Sequence, residues 1–244
     1  MYYYTNENLQ AIVTGLDLSS KDTILAVGGS GDQAFALLEF AGEVKVVDNQ
    51  PNQIGFIKQR VEALRAGDDE AFFRNESKTA TLIGPRNHQN SFLYDQLERD
   101  HNHLAARRRR YFTEESGRLE RIQERLTNLI IAEPGDLVKV AQQERGHSKI
   151  YLSNILGYYD GLADEEDYLR NSLNKVARNL PFGGIIYVTN HNELVNSVWR
   201  AEIIVQDLAV ASFLPPKLEI DPVLSLKARA HENGCWHPAV YRKV

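Results

Sequence analysis

One stretch constrains the chain more than any other. Thr23-Ile24-Leu25-Ala26-Val27 is a short apolar run that ends in Gly28-Gly29-Ser30-Gly31-Asp32, and Gln33 to Phe40 continues as an apolar helix. Strand, glycine turn and helix in that order open a doubly wound α/β sheet. The small residues let the backbone approach a ligand, and N–H groups at the start of the next helix are left free to bond it. Val44-Lys45-Val46-Val47-Asp48 reads as the second strand, and Pro51 suits the first turn of a helix to about Leu64, with Ile54, Ile57, Val61 and Leu64 on one face. Asp48 thus stands at a strand end, twenty positions after Gly28, where a carboxylate can accept both hydrogen bonds of a ribose diol. The pair specifies a nucleoside without saying which; a tight turn followed by a solvated Asp is the plain structural alternative.

The alternation then breaks. Residues from about 67 to 125 carry charge, Asn, His and the run Arg107-Arg108-Arg109-Arg110 where a strand would be due, which reads as a mostly helical insertion and a possible lid over an acceptor site. Leu119, Ile122, Leu126 and Leu129 give its last helix one apolar stripe. Strands resume at Leu129-Ile130-Ile131-Ala132, Ile150-Tyr151-Leu152-Ser153-Asn154 and Gly184 to Thr189, with helices from about Asp136 to Glu144 and from Glu165 to Leu180. Lys227 to His231 and His237 to Lys243, around Asn233-Gly234, read as a closing β-hairpin. A length of 244 residues suits one α/β domain spanning 1–244 with that insertion and leaves little room for two full domains.

The bulk properties exclude several classes. Hydrophobic residues at 43% and charged residues at 25% are those of a globular chain with a packed core, not a disordered one. A net charge of −5 gives no general attraction to nucleic acid or to an anionic membrane. Only Arg107 to Arg110, followed by Tyr111-Phe112, offers a local patch for phosphate, lipid headgroups or RNA, with a solvated helix face as its alternative. The single Cys235 rules out an internal disulfide, and His101 and His103, two apart, would diverge on a helix, so no metal site is expected. With no signal-peptide pattern and no apolar run near the ~20 residues that span a bilayer, a cytoplasmic protein is expected. Oligomeric state leaves no trace in the sequence.

Two further strand ends carry polar groups that would face the same crevice. Asp136 lies just beyond the third strand, where it can hold an adenine amino group or simply cap a helix, and Ser153-Asn154 close the fourth. The blocks Ile24 to Ala34, Val46-Val47-Asp48-Asn49-Gln50-Pro51-Asn52-Gln53 and Tyr151-Leu152-Ser153-Asn154-Ile155-Leu156 resemble, in order, the S-adenosylmethionine:diacylglycerol 3-amino-3-carboxypropyl transferases of betaine-lipid synthesis and their relatives. The resemblance covers roughly residues 20–66 and 128–192. It implies a Rossmann-like class I methyltransferase fold, mostly parallel, and S-adenosylmethionine as cosubstrate. By the same match Gly28, Gly31, Asp32 and Gln33 would surround its methionine end and Asp48 its ribose, with Gly29, Ser30 and Asn49 also expected among the cofactor-binding residues. The common methyltransferase pattern has an acid two positions before the first glycine; here that position is Ala26, so Asp32 or Gln33 is expected to hold the methionine ammonium.

The resemblance therefore points to a transferase moving a methyl or a 3-amino-3-carboxypropyl group to a small-molecule or lipid acceptor. Both are displacements at a carbon next to the sulfonium, and need chiefly alignment. Tyr158, Tyr159, His191 and Glu193 fall near strand ends as candidate bases, each also readable as structural. A non-catalytic nucleoside-binding module remains an alternative. An NAD-dependent oxidoreductase is disfavoured because Gly28 to Gln33 lacks the third glycine of the dinucleotide fingerprint.

Overall fold

The computed structural model describes residues 5, 7–74, 103–155, 165–191, 217–232 and 236–244, with the backbone alone at 165–170, 190 and 191. Thr23–Val27 (β1), Glu43–Val47 (β2), Leu129–Ile131 (β3), Lys149–Ser153 (β4), Ile185–His191 (β5), Leu218–Ile220 (β6) and Trp236–Lys243 (β7) form a seven-stranded sheet in the order β3-β2-β1-β4-β5-β7-β6. The first five strands run parallel, and β7 is antiparallel to both β5 and β6. Parallel strands are covered on both faces, which is why the centre of β4, Ile150-Tyr151-Leu152, is apolar and the strand is buried along its whole length.

Side chains alternate between two cores. Ile24 and Ala26 of β1, Val44 and Val46 of β2 and Tyr151 of β4 face Leu9–Leu16 (α1), Asp32–Leu38 (α2) and Pro51–Arg65 (α3), while Leu25, Val47, Ile150 and Leu152 face Leu137–Gln143 (α7) and Glu165–Ala177 (α8). The helix starts follow from capping chemistry. Asn8 accepts from Gln10 and Ala11 N–H, Asp136 from Val138 and Lys139, and Asp221 from Leu224 N–H ahead of Pro222–Arg229 (α9). Between α3 and α7 lie Asp69–Phe73 (α4), residues 103–113 (α5) and Arg118–Glu124 (α6). Phe72, Phe112, Leu119 and Ile122 bury these helices in the same core as α2, so they are rooted in the domain rather than laid upon it.

Three sequence expectations are corrected in detail. The C-terminal antiparallel pair exists, but its first arm is Leu218–Ile220; Lys227 lies in α9, which Asp221 and Pro222 initiate. The last helix of the insertion stops at Glu124, and Leu129 already belongs to β3, paired with Val44. The four arginines do not form one patch. Successive helical residues turn by about 100°, so Arg108 points into the core, Arg109 pairs with Glu70 at 3.3 Å and Arg110 is exposed. No helix among the described residues is long and apolar enough to cross a membrane. Cys235, His101, Tyr158, Tyr159 and Glu193 lie outside the described residues.

Candidate functional site

A cavity of about 660 Å³ opens along the carboxyl ends of β1, β2 and β4 and beside the start of α7, where doubly wound sheets place their ligands. The glycine turn forms one wall. Gly29 and Gly31 adopt positive φ of 47° and 84°, conformations that cost glycine little. At Gly28 a Cβ would come within 2.9 Å of the Asp48 Cβ, so the close approach of β1 to the end of β2 requires glycine there. Asp48 ties the wall together: its Oδ2 accepts from Gly29 N–H at 2.8 Å and its Oδ1 from Gln50 N–H at 2.9 Å. Each carboxylate oxygen retains capacity for a second donor from the cavity that Asp48 lines.

Of the residues expected from the sequence, Gly29, Ser30, Gln33, Asp48, Asn49, Asp136, Ser153 and Asn154 all line this cavity. Gly28 and Gly31 shape the turn from behind. Asp136 caps α7 through Oδ1, as one of its two readings has it, and stands at the cavity wall. The expectation fails at Asp32. This residue is fully buried beneath the turn and is absent from the cavity wall. Its Oδ1 meets Arg108 Nε at 2.6 Å and Arg60 Nη1 at 2.7 Å, and its Oδ2 accepts from the Ser30 hydroxyl at 2.7 Å and Thr5 N–H at 2.9 Å. Burial opposes its ionisation, but the Arg108 and Arg60 guanidiniums outweigh that and hold the carboxyl below the usual range. Phe72 lies against both cations, with its ring centre 4.1 Å from the Arg60 Cζ and 5.4 Å from that of Arg108. His191 is in the backbone of β5 beside Trp236, and its side chain lies outside the described residues.

The structure adds residues that the sequence reading missed. Gln50 and Gln53 stand in the cavity wall, and Gln53 donates to the Gly29 carbonyl. Both occur in the Asp48-to-Gln53 block already singled out, so their signal was present. Glu7 had none: it precedes α1 in a segment with no periodicity, and lies 144 positions from the residue that holds it. Its Oε1 accepts from the Tyr151 hydroxyl at 2.9 Å and from the Ser153 hydroxyl. Ser153 reaches it because the β4–β5 register shifts there and Ser153 takes a left-handed φ of 54°. Burial pushes the Glu7 carboxyl up to about 7, against the Ser153, Tyr151 and Thr189 hydroxyls, which lower it. Among the described residues no cluster of potential metal ligands occurs.

No family model matches the chain, and no curated protein does. Among solved structures, the pyocyanin biosynthetic protein PhzM superposes at a TM-score of 0.52 with 12% identity, over 98% of this chain and 55% of PhzM. N-methyltransferase NodS from Bradyrhizobium japonicum WM9, in complex with S-adenosylhomocysteine, gives a TM-score of 0.49 and 13% identity over 98% and 89% of the two chains. At such identities the likeness is one of fold. With its parallel five-strand core, its antiparallel β7 and its strand order, the chain has the Rossmann-like class I methyltransferase fold.

Proposed function

We propose that the chain binds S-adenosylmethionine along the carboxyl edge of the sheet and transfers from it a methyl or a 3-amino-3-carboxypropyl group to a small-molecule or lipid acceptor. The observation that supports this most is the meeting of the glycine turn, Asp48 and the Ser153-Asn154 strand end in one cavity. Its volume is within the range of small-molecule sites. The residues also fit the ligand chemically: Glu7 Oε2 and Gln33 Oε1 are buried acceptors without a partner, and both residues line the cavity. Buried polar atoms are rarely left so unless a ligand or water completes them.

In this reading Asp48 accepts from the ribose hydroxyls, Asp136 faces the adenine, and the turn from Gly29 to Gln33 receives the amino-acid end. The ligand supplies a carbon activated by its sulfonium; the protein supplies position. Rigid walls do this best, and the Asp48 tie between the glycine turn and α3 makes that wall rigid. Asp48 and the β4 end serve methyl and aminocarboxypropyl transfer alike, because the two differ in how the sulfonium is turned rather than in how the nucleoside is held.

The test is mass spectrometry of the purified chain incubated with S-adenosylmethionine and a lipid and metabolite extract. S-adenosylhomocysteine above the no-enzyme control identifies methyl transfer, and methylthioadenosine identifies aminocarboxypropyl transfer. Absence of both by-products, with no binding of either nucleoside, overturns the reading.

A further inference from the structure

S-Adenosylmethionine ends in an α-amino acid, and its ammonium carries three donors and no acceptor. Such a group needs several acceptors and a compensating negative charge close by. Among the described residues the cavity has three carboxylates in its wall, Glu7, Asp48 and Asp136. Asp48 lies at the end of β2 and bonds the Gly29 and Gln50 N–H groups, and Asp136 caps α7. Asp32, the acid nearest in sequence to the turn, is sealed beneath it by Arg60 and Arg108. Glu7 alone of the three is held by side-chain hydroxyls while keeping a buried oxygen unmet.

A second observation places the same chemistry beside it. Thr5 links Glu7 to Gln33: the Thr5 hydroxyl oxygen accepts from Glu7 N–H at 3.1 Å and from Gln33 Nε2 at 2.8 Å, which leaves the Gln33 Oε1 as the other unmet acceptor. The register of the sheet agrees. Ala26 pairs with Tyr151, whose hydroxyl holds Glu7, and Ala26 and Tyr151 face the same core. The residue that holds the carboxylate is thus the register partner of the strand position whose own side chain is a methyl group.

We propose that Glu7 and Gln33 seat the ammonium of the ligand, so that the segment before α1 supplies the carboxylate that the end of β1 lacks. This rests on the reading of the ligand as S-adenosylmethionine. The groups facing Glu7 leave it free to serve: Tyr151 and Ser153 from β4, Tyr187 and Thr189 from β5, and Glu232 after α9, which itself faces Arg107 of α5. Both tyrosines are held well above their ordinary range by burial and stay neutral. Desolvation raises Glu7 to about 7, so the empty site is partly protonated at neutral pH, and an arriving ammonium must displace that proton.

The experiment is calorimetric titration of the full chain, and of Glu7→Gln, with S-adenosylhomocysteine and with methylthioadenosine at pH 6, 7 and 8. The second nucleoside lacks the amino-acid end. For the wild type, S-adenosylhomocysteine is expected to bind about tenfold more weakly at pH 6 than at pH 8, as a carboxyl titrating near 7 demands, while methylthioadenosine stays level. Glu7→Gln should weaken S-adenosylhomocysteine at pH 8 by at least about tenfold, abolish its pH dependence and keep methylthioadenosine binding, which also reports that the variant is folded. Equal affinity and an equal pH profile in the two proteins overturn the assignment, and so does a pH dependence shared by both nucleosides. Should the variant misfold, the wild-type comparison of the two nucleosides decides alone. If neither nucleoside binds the wild type, the function proposed above falls and takes this assignment with it.

Discussion

Two buried carboxylates flank the glycine turn and have opposite fates. Asp32 sits beneath it, met by two guanidiniums, a hydroxyl and a backbone N–H, with the Phe35 and Phe72 rings against its cations. Glu7 lies above it, held by two hydroxyls at one oxygen and unmet at the other. Both are nearly inaccessible, at 0% and 2% exposure, so burial does not separate them. Their neighbours do: cations drive the first carboxyl down, and desolvation drives the second up to about 7. A fully satisfied buried charge fixes structure, whereas an incompletely satisfied one is poised to bind.

The largest expected effect breaks the satisfied half. Asp32→Ala leaves Arg60 and Arg108 buried without their carboxylate, and should destabilise the fold by about 3–5 kcal/mol in denaturant unfolding. A loss below about 1 kcal/mol would mean that this cluster is not what secures the turn to α3 and α5.

The unsatisfied half should respond in the opposite sense. The Glu7 carboxyl ionises near 4.5 when unfolded and near 7 when folded. Between those values the folded chain holds the extra proton, so stability declines as pH rises from 4.5 to about 7 and is level above. Without ligand, Glu7→Gln should therefore be more stable than the wild type at pH 8, by about 3 kcal/mol, with the gain shrinking toward pH 5. Unfolding curves at the two pH values check this, and a destabilised variant at pH 8 would refute it.

Asp48→Asn tests the ribose end independently of either carboxylate. It keeps the shape but weakens the charge-assisted bonds to Gly29 and Gln50 N–H and any to the ligand, so affinity for methylthioadenosine should fall about ten- to a hundredfold. An unchanged affinity would remove Asp48 from the site. The smallest effect is at Ser153→Ala, which deletes a hydroxyl that lowers the Glu7 carboxyl and should move the pH midpoint of S-adenosylhomocysteine binding upward. A downward shift would show that the Ser153 hydroxyl does not stabilise the ionised form.

Much of this was legible in the chain itself. The glycine turn, Asp48 and the strand end at Ser153-Asn154 are local patterns: a strand must end before its turn, and in a parallel sheet the strand ends of β1, β2 and β4 share one edge. That geometry is why these residues meet in one cavity although β1 and β4 are more than a hundred positions apart. Asp136 was legible as the cap of the helix that follows the third strand.

What the sequence could not settle was the partner of each charge. Asp32 is adjacent to the turn in sequence, yet Arg60 from α3 and Arg108 from α5, 28 and 76 positions away, claim it. Glu7 carries no periodic or motif signal and reaches the cavity wall only because α1 packs near β5 and α9 and delivers the segment before it to the end of β4. Backbone periodicity is a local property written in neighbouring residues, so the sequence alone determined the α/β alternation and the sheet edge at which the cavity opens. The pKa and the unmet valence of a buried carboxyl depend on groups brought together by the fold, and only the tertiary structure decided that Asp32 would be locked and Glu7 left open.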